Sequence, residues 1–266
     1  MENERLTRKE AIARLKSRGL SLFWYDLIDS TNDEAKRRAP SSGLPAVIVA
    51  DAQSAGRGRM GRSFFSPQGT GLYLSYLTDK ASPEATVGLT AAAAVAVVRA
   101  IRRTTGLATE IKWVNDILLD GKKVAGILAE RFSAEGRLFT VVGIGINLTT
   151  PKGGFPEELQ RKAGSLDVPT LSREALATAL SGELDALIQA LPDRSFMEEY
   201  RSCSAVLGHC VRYMINGVSC QGEAVRIDDD GALAVRLADS REELLVSGEI
   251  SLSFEIGGAE YHGRTE

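Results

Sequence analysis

Gln53-Ser-Ala-Gly-Arg-Gly-Arg-Met-Gly-Arg-Ser-Phe-Phe65 is a segment in which three glycines alternate with three arginines. Glycine lets the backbone approach a ligand closely, and arginine presents a planar, permanently charged fork of donors to phosphate or carboxylate oxygens. The segment therefore predicts an anion-binding loop. Taken alone, it also fits an arginine-rich turn on the surface.

The residues that flank this loop decide the fold class. Residues 56–61 satisfy G-x-G-x-x-G, but the dinucleotide fingerprint needs a strand before it and a helix after it. Residues 46–50 read as a strand, whereas residues 64–71 contain proline and two glycines and lead into a second strand at 72–77. No helix is predicted there, so a dinucleotide-binding fold is rejected. A P-loop is rejected because G-x-x-x-x-G-K-[ST] is absent.

Helical patterns and strand patterns occupy separate segments of the chain. The strands cluster at 110–119, 123–132 and 138–148, and the Asp120-Gly121 turn joins the first two. Helices are predicted at 8–18, 33–38, 82–105 and 172–191; the last has leucines at three- and four-residue spacing on one face. This arrangement predicts an α+β fold with a mixed or antiparallel sheet and flanking helices.

The sequence pattern changes in the last sixty residues, where only short strands are predicted. Five short strands are predicted at 210–215, 218–227, 232–237, 243–246 and 250–254, which suggests a small β-barrel. The charged segment at 197–201 precedes them. We therefore expect a catalytic domain at residues 1–205 and a barrel domain at residues 206–266.

Composition excludes several classes of protein. The chain has 266 residues, a net charge of −3 and a pI of about 5.7, so no global basic field indicates nucleic acid. The N-terminus is charged and the longest apolar run, 91–98, is too short to span a bilayer. These features predict a soluble, cytoplasmic protein without a membrane partner.

Histidine and cysteine chemistry is also disfavoured. The two histidines, His209 and His262, lie near the C-terminal end and beside no candidate nucleophile. Three cysteines without C-x-x-C spacing make a disulfide framework or a zinc site improbable, and we read them as small core residues. Catalysis by fixed positive charges is the remaining expectation.

Two further groups of residues suit ligand binding. Ser30-Thr31-Asn32 are competent N-caps for the following helix, and they also offer hydroxyls, an amide and free helix N–H groups to a small ligand. Asn115-Asp116 and Lys123 lie on opposite arms of the hairpin at 120–121, so they can form a joint site. The alternative for Lys123 is a surface lysine on a sheet edge.

Together these motifs resemble biotin protein ligases, also called biotin:acetyl-CoA-carboxylase ligases. The resemblance spans residues 20–254 and rests on five motifs in the family's order and spacing. They are Ser30-Thr-Asn32, Gln53 with Gly56-Arg-Gly-Arg-Met-Gly-Arg62, Lys112-Trp-Val-Asn-Asp116, Lys123-Val-Ala-Gly126 and Gly143-Ile-Gly-Ile-Asn147.

The resemblance implies a fold and a reaction. The catalytic domain would share the fold of lipoate ligases and, distantly, of class II aminoacyl-tRNA synthetases, and an SH3-like domain would follow. Biotin would react with ATP to give biotinyl-5′-AMP and pyrophosphate. A lysine of a biotin carboxyl carrier domain, such as that of acetyl-CoA carboxylase, would then accept the biotin. Mg²⁺ is the implied metal.

The resemblance also implies roles for individual side chains. The catalytic set would be Lys123, Arg57, Arg59 and Asp116, and Asp116 would help to hold Mg²⁺ or to position the attack. Biotin would be bound by Ser30, Thr31, Asn32, Gln53, Arg57, Gly58, Arg59, Lys123 and Gly126. The nucleotide would face Arg62, Phe64, Lys112, Asn115 and Asn147.

Two departures and several alternatives accompany the resemblance. Phe64 replaces a common tryptophan, and Val114 replaces a usual proline before Asp116, so that turn is less fixed. About twenty residues precede the matching region, too few for the helix-turn-helix of some relatives, so no operator binding is expected. Relatives vary between monomers and dimers, so a homodimer is possible. The alternatives are a lipoate or other acyl ligase, and a non-catalytic biotin-binding module.

Overall fold

The computed structural model describes residues 6–80, 86–191, 193–215, 217–246, 248, 250–252, 255–256 and 259–260. Its helices are α1 (Arg8–Ser17), α2 (Thr31–Arg38), α3 (Thr86–Thr105), α4 (Arg173–Ala190) and α5 (Phe196–Ser202). Its longer strands are β1 (Ser21–Tyr25), β2 (Ala46–Ala50), β3 (Gly71–Thr78), β4 (Glu110–Lys112), β5 (Asp116–Leu119), β6 (Lys122–Ala134), β7 (Arg137–Asn147), β8 (Cys210–Ile215), β9 (Val218–Ile227), β10 (Leu233–Arg236), β11 (Glu242–Leu245) and β12 (Ile250–Leu252). The predicted start of α3 at residues 82–84 lies outside the described part.

A seven-stranded sheet organises the larger domain. Its order is β1-β2-β3-β7-β6-β5-β4, in which β1 pairs parallel with β2 and the other neighbours pair antiparallel. The prediction of a mixed sheet with flanking helices is therefore confirmed. Between β2 and β3 the chain forms a long loop whose only helical turn is the 3-10 turn Arg59–Gly61, so the rejection of a dinucleotide fingerprint also holds.

Both faces of this sheet are covered by helices. Because successive strand side chains point to opposite faces, Val47 and Val49 pack into one cluster with the apolar sides of α3 and α4. Ala46 and Ile48 pack on the other face with Ala35 of α2. The predicted leucine stripe of α4 is buried at 176, 180, 184 and 187. No helix in the described part of the chain is long and apolar enough to cross a membrane.

The predicted strand at 110–119 is divided in two by a tight turn at residues 113–115. Lys112 pairs with Asp116 across that turn, so β4 and β5 form a hairpin of their own. Trp113 and Val114 looked like strand residues, but both are buried, and Trp113 Nε1 donates to Gly231 O at 2.9 Å. The strand pattern did not predict this turn, which only the family resemblance implied.

The five strands predicted for the C-terminal region form an antiparallel sheet of order β11-β10-β9-β8-β12. The strand pairings of the described residues do not close it into a barrel. Our proposed boundary between residues 205 and 206 falls between α5 and β8, but the hydrophobic core continues across it. The cysteine prediction is wrong for Cys210, which is exposed, whereas Cys203 and Cys220 are half-buried.

Candidate active site

A cavity opens where the N-terminus of α2 and the loop after β2 meet the centre of β6 and β7. The space between its walls, including the open mouth, is about 450 Å³. Eleven predicted site residues line it: Ser30, Thr31, Asn32, Gln53, Arg57, Gly58, Arg59, Phe64, Asn115, Lys123 and Gly126. Ile127, Leu128, Gly143, Ile144 and Gly145 complete the wall.

The α2 end of the cavity is built from buried polar groups. Ser30 is the N-cap of α2, and its hydroxyl accepts from the Asp33 amide at 3.4 Å. Thr31 donates its backbone N–H and its hydroxyl to Gln53 Oε1, at 2.8 and 3.1 Å. Gln53 Nε2 in turn donates to Ser66 Oγ at 2.9 Å. These bonds fix the amide of Gln53. Ser30 caps α2 while residues 30–32 also line the cavity, so the two roles predicted for this segment are compatible.

Asn32 is held from two sides. Its Oδ1 accepts from the buried Ser75 hydroxyl at 2.6 Å, and its Nδ2 donates to Glu130 Oε2 at 2.8 Å. A Cβ on Gly143 would lie 2.3 Å from Asn32 Oδ1. Only glycine at position 143 therefore leaves room for this amide beside the sheet.

The two arginines at the mouth of the cavity are engaged by protein oxygens. Arg57 Nη1 lies 2.6 Å from Asp33 Oδ1, and Arg57 Nη2 lies 3.1 Å from Glu130 Oε1. Arg59 donates to Asn115 Oδ1 at 2.8 Å and to Gly248 O, in the C-terminal domain, at 3.3 Å. The hydrogen bond with Asp33 raises the pKa of Arg57 above its usual value. Protein oxygens thus hold both guanidinium groups at the cavity.

Phe64 forms an apolar wall of the cavity because glycines face it. A Cβ at Gly145 would lie 2.4 Å from the Phe64 ring, and one at Gly126 would lie 3.3 Å from it. The ring also meets Tyr73 edge-on, with centroids 6.4 Å apart. The glycine spacing in β6 and β7 therefore makes space for an aromatic side chain as well as for a ligand.

Lys123 lies on β6 opposite the cavity's arginines, and its ammonium is 2.7 Å from Asp116 Oδ1 of β5. This confirms that the turn at 120–121 brings the two residues together. The backbone of Lys123 is fixed as well: its N–H donates to Lys162 O at 2.8 Å, and its carbonyl accepts from Gly164 N at 2.9 Å. The segment after β7 thus pins the lysine in place.

Four predicted side chains are not part of the cavity lining. Asp116 forms an ion pair with Lys123. Asn147 Nδ2 donates to Gly164 O at 2.8 Å, which helps to hold the segment that contacts Lys123. Arg62 is exposed, and Lys112 is half-buried at the end of β4. Their assignments remain predictions.

Sequence reasoning missed the acidic partners of the arginine loop. Glu130 binds Lys36, Arg57 and Asn32, and Asp33 binds Arg57. Burial raises the pKa of Glu130, but hydrogen bonds from Lys36 and Asn32 outweigh it and hold the pKa below its usual value. The only signal in the sequence was a carboxylate in the middle of a strand.

Metal binding by protein groups alone is not indicated. Among the described residues, no group of three or more His, Cys, Asp or Glu side chains is placed to hold an ion. Mg²⁺ commonly binds to one or two carboxylates together with substrate phosphates. Asp116, beside the cavity, fits that mode as a single carboxylate.

Comparisons with known proteins agree with this geometry. Residues 24–147 match the Biotin/lipoate A/B protein ligase family, and residues 211–253 match the Biotin protein ligase C terminal domain. The bifunctional ligase/repressor BirA of Bacillus spizizenii is 34% identical over 247 residues, which cover 88% of this chain and 74% of the relative. The chain belongs to the biotin protein ligase family.

Two further comparisons support membership of the biotin protein ligases. The biotin--[acetyl-CoA-carboxylase] ligase of Paracoccus denitrificans is 33% identical over 219 residues, covering 78% of this chain and 91% of that protein. The biotin protein ligase of Aquifex aeolicus in complex with biotin and ATP has a TM-score of 0.74 and 28% identity, covering 87% of this chain and 98% of that one. The predicted family and fold are therefore confirmed, and the chain is a ligase enzyme.

Proposed function

We propose that this biotin protein ligase activates biotin with ATP and transfers it to a lysine of a biotin carboxyl carrier domain. In the first step a biotin carboxylate oxygen attacks the α-phosphorus of ATP, and the bond to pyrophosphate breaks. In the second step the neutral amine of the acceptor lysine attacks the acyl carbon of biotinyl-5′-AMP. AMP leaves, and the amine proton is lost as the amide forms.

The observation that carries this proposal is the single cavity shared by the polar triplet 30–32, Gln53, the arginine loop and Lys123. One end offers neutral hydrogen-bonding groups, which suit a ureido ring. The other end offers three cations, Arg57, Arg59 and Lys123, which suit a carboxylate and a phosphate that must meet. Family membership agrees with this division.

The neutral end is proposed to bind biotin. Ser30, Thr31, Asn32 and Gln53 are buried or half-buried. Thr31 orients Gln53, and Ser75 and Glu130 orient Asn32. A ligand that enters such a site meets donors and acceptors whose positions need little further ordering. Gly58 and Gly126 let the backbone approach the bound acid.

The cationic end is proposed to carry the chemistry. Two anions repel each other, so charges fixed at the reacting centre must cancel that repulsion, which becomes stronger away from water. Lys123, Arg57 and Arg59 supply these charges. With the ATP phosphates bound, Asp116 would hold Mg²⁺, which neutralises phosphate charge. No protein nucleophile is required.

The nucleotide is proposed to lie between Phe64 and the β4–β5 hairpin. Phe64 offers an apolar surface to adenine, and Asn115 already holds Arg59 at the mouth of the cavity. Arg62, Lys112 and Asn147 are proposed as further contacts of the nucleotide.

The partners of the ligase are proposed more coarsely. Its acceptor is a carboxyl carrier domain, such as that of acetyl-CoA carboxylase. A homodimer and a cytoplasmic location stay predictions, and so does the lack of operator binding. Gel-shift assays, sedimentation and cell fractionation would check them in turn.

Biotin-dependent exchange of labelled pyrophosphate into ATP tests the proposal, with lipoate and octanoate run in parallel. Exchange with biotin alone is expected, since residues 30–32 and 53 match a ureido ring. Exchange only with another acid would show that the chain is a ligase for that acid, with the same mechanism. Tight biotin binding without exchange would instead indicate a non-catalytic module.

A further inference from the structure

Glu130 lies beside the cavity and contacts two of the side chains that line it, Asn32 and Arg57. One carboxylate oxygen, Oε2, accepts from Asn32 Nδ2 at 2.8 Å. The other, Oε1, lies 2.9 Å from Lys36 Nζ and 3.1 Å from Arg57 Nη2. Its side chain is 19% exposed, so these partners replace most of its water. One carboxylate thus contacts both a group assigned to biotin recognition and a cation assigned to the reacting carboxylate.

The charge of Glu130 determines which way the Asn32 amide points. In the reverse orientation the amide oxygen, instead of the nitrogen, would lie 2.8 Å from Glu130 Oε2. Two oxygens without a proton between them repel at that distance. Ser75 supports the same orientation because its hydroxyl donates to Asn32 Oδ1 at 2.6 Å. The amide is therefore fixed by a negative charge on one side and a hydroxyl on the other.

This orientation decides what Asn32 can recognise. Nδ2 is used by Glu130 and, at 3.4 Å, by Leu128 O. Oδ1 has accepted one hydrogen bond and retains a second acceptor site. Asn32 thus offers the cavity an acceptor, which selects a ligand with an N–H donor such as the ureido group.

The same carboxylate also limits where Arg57 can go. Arg57 is bound between Asp33 and Glu130, so two negative charges share one guanidinium at the cavity mouth. Lys36, which also reaches Glu130, offsets part of this negative charge. Arg57 is therefore held next to the expected carboxylate position while it keeps donors for a ligand.

We propose that Glu130 is a positioning residue of this ligase, which orients Asn32 toward the ureido group of biotin and holds Arg57 beside the biotin carboxylate. This inference rests on the proposed function. Glu130 itself needs no contact with the substrate. It acts through two side chains that come from different segments of the chain.

The test is the dissociation constant of biotin, measured by calorimetry without ATP. Glu130→Gln satisfies only one side, because an amide that accepts from Asn32 turns its own donor toward Lys36 and Arg57. We expect binding to weaken about tenfold or more, the usual scale for a lost charge-assisted hydrogen bond. In kinetics the KM for biotin should rise while the KM for ATP stays within about twofold of wild type.

Double-mutant cycles separate positioning from a general structural role. If Glu130 acts through its partners, adding Glu130→Gln to Asn32→Ala should weaken binding by less than the product of the separate factors. The same should hold with Arg57→Ala. Independent, multiplicative effects in both cycles would overturn the proposal, as would wild-type binding by Glu130→Gln.

A matched control is available in Glu199, which is 22% exposed and binds two arginines far from the cavity. Glu199→Gln should leave biotin binding unchanged. If Glu130→Gln does not fold, Glu130→Asp keeps the charge but is too short for both contacts, and the same loss is expected. Wild-type protein that neither binds biotin nor supports exchange would refute the proposed function itself, whereas a functional wild type with an unaffected Glu130 variant refutes only this inference.

Discussion

At the level of single residues, substitution of Lys123 gives the most direct test of the proposed chemistry. Lys123 lies on β6 and lines the cavity, and its ammonium forms an ion pair with Asp116. Removing a preorganised group that stabilises developing charge typically costs about a hundred- to a thousandfold in rate. Lys123→Ala should therefore lower the rate of biotin-dependent pyrophosphate exchange by at least that factor.

The neighbouring lysine provides the control for this prediction. Lys122 is exposed, does not line the cavity, and packs its Cβ near Gly164. Lys122→Ala should retain exchange close to wild type. Near-normal exchange by Lys123→Ala would remove this lysine from the catalytic set.

At the scale of secondary-structure elements, an ion-pair cluster joins α5 to α3. Arg99 and Arg102 each donate to a different oxygen of Glu199 at 2.7 Å. Burial raises the pKa of Glu199, but these hydrogen bonds outweigh it, so the pKa lies below the ordinary value of 4.5. A lowered folded pKa gives stability that is present above pH 4.5 and is lost as the pH falls through the folded pKa.

Glu199→Gln should therefore be less stable than wild type at pH 7, by about 1 kcal/mol after allowance for solvent screening. The difference should shrink as the pH falls below 4.5, where the unfolded chain takes up the proton first, and shrink further as the pH passes the lowered pKa of folded Glu199. Urea unfolding followed by circular dichroism at several pH values measures this. Glu198→Gln, an exposed neighbour on α5, should show little effect. A pH-independent deficit for Glu199→Gln would contradict the assignment.

Elements were more predictable from sequence than contacts between them. The Asp120-Gly121 turn placed Lys123 next to Asp116 because both turn residues have positive φ and the register follows locally. The N-cap role of Ser30 was predictable for the same reason, because its partner is the backbone N–H of Asp33, three residues along the chain. Glu130 was missed because its partners Asn32 and Lys36 lie 98 and 94 residues away in sequence. Such contacts depend on how the strands assemble, which a local pattern does not encode.

At the scale of the whole molecule, the two domains share structure on both sides of their boundary. Trp113 is 3% exposed and donates to Gly231 O of the C-terminal domain, and Arg59 of the cavity reaches Gly248 O. One hydrophobic cluster includes residues of both domains. The site's arginine loop and the C-terminal sheet are therefore expected to lose structure together.

The two tryptophans of the chain make this expectation measurable. Trp24 lies on the edge strand β1 and donates to Asp51 Oδ1 at 2.9 Å, whereas Trp113 lies at the domain junction. In Trp24→Phe, fluorescence reports only on the junction, while far-UV circular dichroism reports on the whole chain. A cooperative unit requires the two urea transitions to coincide. Trp113→Phe provides the reciprocal probe of the catalytic sheet. A junction signal that changes at lower urea than the dichroism would show that the C-terminal domain separates first, and that the Arg59–Gly248 contact opens independently of the sheet that carries Lys123.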